Sequence, residues 1–203
     1  MAASGTLQDV AEISVGRART VLARAFFDDP LMVWFFPDPD VRPHACAAMF
    51  GLFAERYLAD GRVDVAARPE PVGVAMWRWP GPDVPPAAGP EELPSIGGLM
   101  TGFMGAARAR EVGVAMASLE ALRPAEPHAY LHLLGVDPDA CRRGVGGELL
   151  ERGLAAVREA GLVACLDTMN PANVPFYEAH GMSVRYEVQL GADGPTSWAM
   201  AAG

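Results

Sequence analysis

Between Ala129 and Leu150 the chain reads AYLHLLGVDPDACRRGVGGELL, and this stretch limits the fold more than any other. Tyr130 to Val136 is an apolar run of strand length whose side chains alternate between two faces. Asp137-Pro138-Asp139 breaks it, because proline has no amide hydrogen and Asp-Pro favours a turn. Arg142-Arg143-Gly144-Val145-Gly146-Gly147 follows, then Glu148 to Gly161 with Leu149, Leu150, Leu154 and Val157 at helical spacing. A strand, a glycine-rich loop and a helix start together make an anion cradle. The first amides of a helix have no intrahelical partner and carry roughly +0.5 charge, and glycines let the backbone come close to the anion. Arg142 and Arg143 add donors matched to phosphate oxygens.

Exclusion narrows the anion. A P-loop requires Gly-Lys-Ser/Thr, whereas Val145 follows Gly144 and the chain has no lysine. The dinucleotide fingerprint G-x-G-x-x-G would need glycine at Leu149. The loop instead resembles motif A of the GCN5-related N-acetyltransferases (GNAT family), Q/R-x-x-G-x-G/A. That motif falls on Cys141, Arg142, Arg143, Gly144, Val145 and Gly146, with Cys141 in place of the usual Gln or Arg. Further on, NPANVPFYEAHGM is similar to the family signature N-x-x-A/N-x-x-F/L-Y-x-x-x-G-F. Asn170, Asn173, Phe176, Tyr177 and Gly181 are in register, and Met182 replaces the aromatic. From Glu126 to the C-terminus the chain looks most like the branch that contains puromycin N-acetyltransferase.

The resemblance implies a single α/β domain over residues 1–203 with the GNAT fold. Its sheet would be mixed and mostly antiparallel, flanked by helices, with strands 130–136 and 163–168 as parallel neighbours that splay apart. It also implies an acetyl-CoA-dependent N-acetyltransferase acting on a small-molecule amine by direct attack in a ternary complex. Arg142 to Gly147, Gly147 included, would take the pyrophosphate. Leu134, Gly135 and Val136 would carry a bulge, pair with the pantetheine arm and polarise the thioester carbonyl through an amide. Asn170 and Asn173 would fix a turn or contact the pantetheine amides, and Phe176 belongs to the same signature. Tyr177 would protonate the departing thiolate, since a phenol with pKa near 10 holds its proton at neutral pH. His132 is the expected base. Tyr130-Leu131-His132-Leu133-Leu134-Gly135-Val136 is similar to the H-L-H-V-L-A-V stretch of arylalkylamine acetyltransferases, with Tyr130 replacing the first histidine. By alternation Tyr130, His132 and Leu134 share a face, and Asp167 is a second candidate for amine contact. Two other functions fit the same residues: an acyl-CoA sensor without turnover, and an acyltransferase using a longer acyl-CoA or a hydroxyl acceptor.

The earlier part of the chain would build the acceptor pocket. Residues 1 to about 7 are expected to fray, and Leu7–Ile13 reads as a strand. Ser14 is an N-cap for a helix over Val15–Phe27, which Asp28-Asp29-Pro30 stops. Leu31 to Pro37, LMVWFFP, reads as an aromatic loop that either packs in the core or walls the pocket. A helix over Arg42–Leu58 and strands over Val63–Ala67 and Val72–Trp79 follow, then a proline-rich loop over Pro80–Pro94. Ser95–Arg110 and Glu111–Leu122 read as helical despite Gly97, Gly98, Gly102 and Gly105. Met100, Met104 and Met116 read as gap-filling core, or as walls for a variable apolar ligand. The last strands are Leu162–Thr168, Met182–Leu190 and Thr196–Ala201.

Composition sets the partners. A net charge of −9 and a pI near 4.9 argue against nucleic acid and fit a cationic substrate weakly. Ile96 to Ala107 is too short and glycine-rich to span a membrane. MAASGTLQDV lacks the features of a secretion signal, and Cys46, Cys141 and Cys165 show no zinc spacing, so a reduced, cytoplasmic protein is expected. A homodimer is left open. No metal is expected, because His128 and His132 on a strand lie roughly 13 Å apart.

Overall fold

Ser14 opens the first helix as its side chain requires. Its Oγ accepts the Arg17 amide at 3.2 Å, and α1 runs Val15–Ala25 with Ala18, Val21 and Leu22 buried along one stripe. The computed structural model describes residues 13–80 and 95–202. The expected first strand, Leu7–Ile13, and the Pro80–Pro94 loop fall almost wholly outside them.

Asp28-Asp29-Pro30 ends α1 but also starts a helix where a loop was expected. Asp29 is extended and its Oδ1 accepts the Leu31 amide at 2.9 Å. Pro30 takes the first helical position, where a missing amide hydrogen costs nothing, and α2 spans Pro30–Phe35. The next helix, α3 (Arg42–Asp60), pins this segment. The buried Arg42 guanidinium donates to the carbonyls of Phe36 at 2.7 Å, Pro37 at 2.9 Å and Phe27 at 3.4 Å.

Strands β1 (Arg62–Ala67) and β2 (Pro71–Arg78) lead to α4 (Ile96–Glu120), which is bent at Gly105, φ +78°. The two helical stretches expected on either side of residue 110 are therefore one element, broken at the glycine that takes the left-handed conformation. Then come β3 (His128–Val136), α5 (Val145–Glu159), β4 (Val163–Thr168), α6 (Val174–Ala179), β5 (Met182–Gln189) and β6 (Thr196–Ala202). Short 3₁₀ turns at Pro138–Ala140 and Pro171–Asn173 join β3 to α5 and β4 to α6.

The sheet order is β1-β2-β3-β4-β6-β5, and every neighbouring pair is antiparallel except β3 with β4. That parallel ladder covers only His128–Leu131 against Val163–Leu166. Beyond Leu131 the two strands part, as the splay expected from the sequence requires. Alternation on β2 defines two cores. Val74 and Met76 join α1 and α3 on one face, while Ala75 and Trp77 join α5 on the other. Close packing fixes Gly153 of α5, because a Cβ there would lie 2.3 Å from the Trp77 ring.

The bulge is in β3, but not at Leu134–Val136. Leu131 and Leu133 pair with Trp77 and Met76, which are consecutive on β2, so His132 is the extra residue. One extra residue reverses the alternation. Leu131 faces the α5 core, Leu133 the α1–α3 core and Leu134 the α5 core again. Tyr130 and His132 do share a face, with ring centroids 5.8 Å apart, but Leu134 lies on the opposite one.

Candidate active site

The cradle forms where the loop meets α5. Gly144 is its N-cap at φ +79°, a conformation that favours glycine, and no side chain caps the helix. The Glu148 amide donates to Gly144 O at 3.0 Å as the first intrahelical bond, so the amides of Val145, Gly146 and Gly147 are left for a ligand. The Val145 side chain is buried, and Arg142 and Arg143 are exposed at the mouth. A Cβ on Gly146 would sit 3.7 Å from Phe176 and from Val136, so the free protein has room there. The one acid of the first turn, Glu148, is taken up by Arg68 and Arg152. An uncapped, glycine-lined helix start with two exposed arginines fits a pyrophosphate.

Next to the cradle the splay opens a cavity of about 920 Å³. It brings together Leu134, Val136, Cys141, Asn170, Asn173 and Tyr177 from the cofactor set with His132 and Asp167 from the acceptor set. Gly144, Gly147 and Phe176 line a separate outer groove with His180, so the loop contributes from outside the cavity. Gly135 is fixed by packing, since a Cβ there would lie 2.9 Å from Leu22 of α1. Past Leu131 the β4-facing edge of β3 has no strand partner among the described residues, and the Cys141 thiol reaches the Val136 carbonyl at 3.8 Å. Asn170 Oδ1 accepts the Ala172 amide at 3.0 Å, which is the turn role, whereas the Asn173 side chain caps nothing.

Tyr177 is buried at the cavity wall. Burial raises its phenol pKa above the ordinary value, and the negative charge of Asp29 raises it further. Asp29 lines the same cavity and is itself raised by burial, against the lowering by its Leu31 and Met32 amide hydrogen bonds. Nothing in the sequence marked Asp29 beyond its place before a proline. An Asp-Pro pair ahead of an apolar run is also a helix-start signal, which would have placed it.

His132 sits at the other end. It keeps part of its surface on the cavity, yet protein encloses the ring: Phe53 stands edge-on at 4.7 Å and Tyr57 lies at 5.7 Å, both from α3. The Tyr57 hydroxyl and His132 Nδ1 are 2.9 Å apart. Burial, then the positive charges of Arg78 and Arg123, push the imidazole down to about 3. Beside it, the Tyr130 hydroxyl donates to Asp167 at 3.0 Å, and Arg123 stacks 4.0 Å over the Tyr130 ring. Burial raises Asp167 despite that hydrogen bond and the Arg123 charge. Tyr57 reads as an ordinary core residue in the sequence, and its partner is 75 positions away.

The remaining wall is mostly apolar, with Met32, Phe35, Met49, Phe50, Met100 and Met116 from α2, α3 and α4, and Asp28, Thr101 and Arg110 are its polar members. The aromatic stretch after α1 is therefore both core and pocket wall. Among the described residues no group of three or more His, Cys, Asp or Glu is placed to hold a metal ion.

The description "Acetyltransferase (GNAT) family" matches residues 48–182. The fold is similar to the histone acetyltransferase HPA2 and related acetyltransferase of Corynebacterium glutamicum, at 26% identity and TM-score 0.67, over 92% of this chain and 89% of that one. A mosquito arylalkylamine N-acetyltransferase like 5b has the same fold at 17% identity and TM-score 0.54, covering 92% and 93%. So does the PaiA N-acetyltransferase of Thermoplasma acidophilum, solved with coenzyme A, at 13% identity and TM-score 0.51, covering 94% of each chain.

Proposed function

The chain belongs to the acetyltransferase (GNAT) family and is an acyltransferase, and on that premise we propose that it moves the acetyl group of acetyl-CoA to the amine of an apolar small molecule. The observation that carries this reading is the cavity at the β3–β4 splay. Its cradle side holds Asn173 and Tyr177, its far side His132 and a methionine- and phenylalanine-lined wall, in one continuous space. Such a space lets the amine attack directly while both substrates are bound.

Acetyl-CoA supplies the activated thioester. The residues supply the rest. Arg142, Arg143 and the amides of residues 145–147 hold the pyrophosphate, and the free β3 edge aligns the arm. A main-chain amide of that edge polarises the carbonyl. Tyr177, kept protonated by burial and by Asp29, holds a hydrogen at its phenol oxygen for the leaving sulfur. An alkylammonium is neutral at pH 7 in only on the order of one molecule in a thousand. The acceptor must therefore lose a proton in the cavity, whose lining includes the carboxylates of Asp28, Asp29 and Asp167 together with His132 and Arg110. The flexible thioethers and aromatic rings suit an aryl- or alkylamine better than a polar one. Among the described residues no helix is long and apolar enough to cross a membrane, and the unpaired Cys46, Cys141 and Cys165 favour a reducing, cytoplasmic setting.

Tyr177→Phe tests the assignment, because it removes the hydroxyl and keeps the ring. Turnover is expected to fall about 10²- to 10⁴-fold with acetyl-CoA affinity nearly unchanged. Full turnover in that variant would remove the acid role from Tyr177.

A further inference from the structure

We infer that Tyr57 is a positioning residue that locks His132 in the tautomer bearing its hydrogen on Nε2, so that His132 offers the acceptor a hydrogen-bond donor and not a base. The inference refines the acetyltransferase reading and rests on it for its meaning, though not for its test.

Counting hydrogens gives the tautomer. The buried Tyr57 phenol has one hydrogen and two lone pairs. Burial raises its pKa, so it stays a phenol at neutral pH. Its polar neighbours are His132 Nδ1 at 2.9 Å and the positive charges of Arg78, Arg123 and Arg56. A guanidinium has five donors and no acceptor, so none of these arginines can take the phenol hydrogen. His132 Nδ1 is then its acceptor. Electrostatics agrees, because the positive end of the O–H dipole turns away from the Arg78 cation and towards the imidazole.

The groups facing His132 from each neighbouring element keep it neutral. They are Tyr57 from α3, Arg78 from β2, Arg123 beyond α4 and Tyr130 from β3. Asp167 of β4 accepts from Tyr130, and Glu120 is within 3.9 Å of Arg78 and 3.5 Å of Arg123. A neutral imidazole that accepts at Nδ1 carries its hydrogen on Nε2. The pKa gap of roughly seven units between this ring and an alkylammonium points the same way. The proton of the acceptor then leaves through a carboxylate of the cavity, Asp28, Asp29 or Asp167, and His132 Nε2 orients the acceptor.

The experiment uses the full chain without ligand, labelled with nitrogen-15. His132 side-chain resonances are assigned by their loss in His132→Asn. From about pH 5 to about pH 8, Nδ1 is expected to read as the bare nitrogen and Nε2 as the protonated one. Tyr57→Phe should mix the tautomers, while burial and the Arg78 and Arg123 charges still keep His132 neutral across that window. On an apolar amine such as 2-phenylethylamine, kcat/KM should fall about tenfold. A protonated Nδ1 with a bare Nε2 in the unmodified protein overturns the inference, and so does a His132 spectrum unchanged by Tyr57→Phe. The unmodified spectrum decides even where the variant does not fold. Because it needs no turnover, it is separate from any failure to find an acceptor.

Discussion

His132 carries a consequence for stability as well as for chemistry. Its folded pKa of about 3 lies below the ordinary 6.5 of an unfolded histidine. The unfolded chain therefore binds a proton that the folded chain refuses as pH falls. The stabilisation is complete above about pH 6.5 and is lost progressively between about 6.5 and 3, with a slope approaching about 1.4 kcal/mol per pH unit. Asp29 and Asp167 act with the opposite sign, because burial raises them and relieves a cost as they protonate. The part of the acid fall that disappears when the imidazole is removed belongs to His132. Urea unfolding of His132→Phe between about pH 4.5 and 7 should show a flatter acid side than the parent. Parallel curves would mean that the ring is not held neutral. Tyr177 was singled out by its signature alone, and it lines the cavity. Tyr57 and Asp29 were not, because their roles come from neighbours 75 residues away and across the cavity.

Among the elements, the start of α5 carries the most direct prediction. A Val at Gly146 finds its Cβ in ordinary contact with Phe176 and Val136, so the helix should form. Its branches would crowd the anion that approaches the amides of residues 145–147. Calorimetry on Gly146→Val should show acetyl-CoA affinity lost by at least about tenfold, with the thermal midpoint shifted by no more than a few degrees. Unchanged affinity would move the pyrophosphate site elsewhere. Most elements could be read in advance because their signals are local. Ser14 caps α1, Asp137-Pro138 ends β3, and the apolar spacing of Leu149, Leu150 and Leu154 marks α5. Features set by pairing escaped. The β3 bulge at His132 exists only in its register against Trp77 and Met76, and no residue type announces it. The α2 helix was hidden because Asp29-Pro30 serves as both a stop and a start. Of the glycines in α4, Gly105 alone takes a positive φ, and the sequence does not distinguish it from the others.

At the scale of the whole molecule, function follows from one topological choice. The crossover through α5 makes β3 and β4 the parallel pair, held together over His128–Leu131 and apart beyond it. The cavity fills that gap, with β3, β4 and α6 supplying one side and α2, α3 and α4 the other. The acceptor half is why the substrate class was illegible at first: its wall is assembled from short apolar stretches of the first 116 residues that carry no motif. The net charge of −9 adds a mild attraction for cations. The central claim is acetyl transfer to an apolar amine inside this cavity. The most direct measurement is release of free thiol from acetyl-CoA across a panel of aryl- and alkylamines, with the acetylated amine identified by mass. The account predicts thiol and N-acetylated product in equal amounts, best with apolar primary amines, and loss of both in Tyr177→Phe. Binding of acetyl-CoA with no product from any amine of the panel, or product formed equally well by Tyr177→Phe, would contradict it.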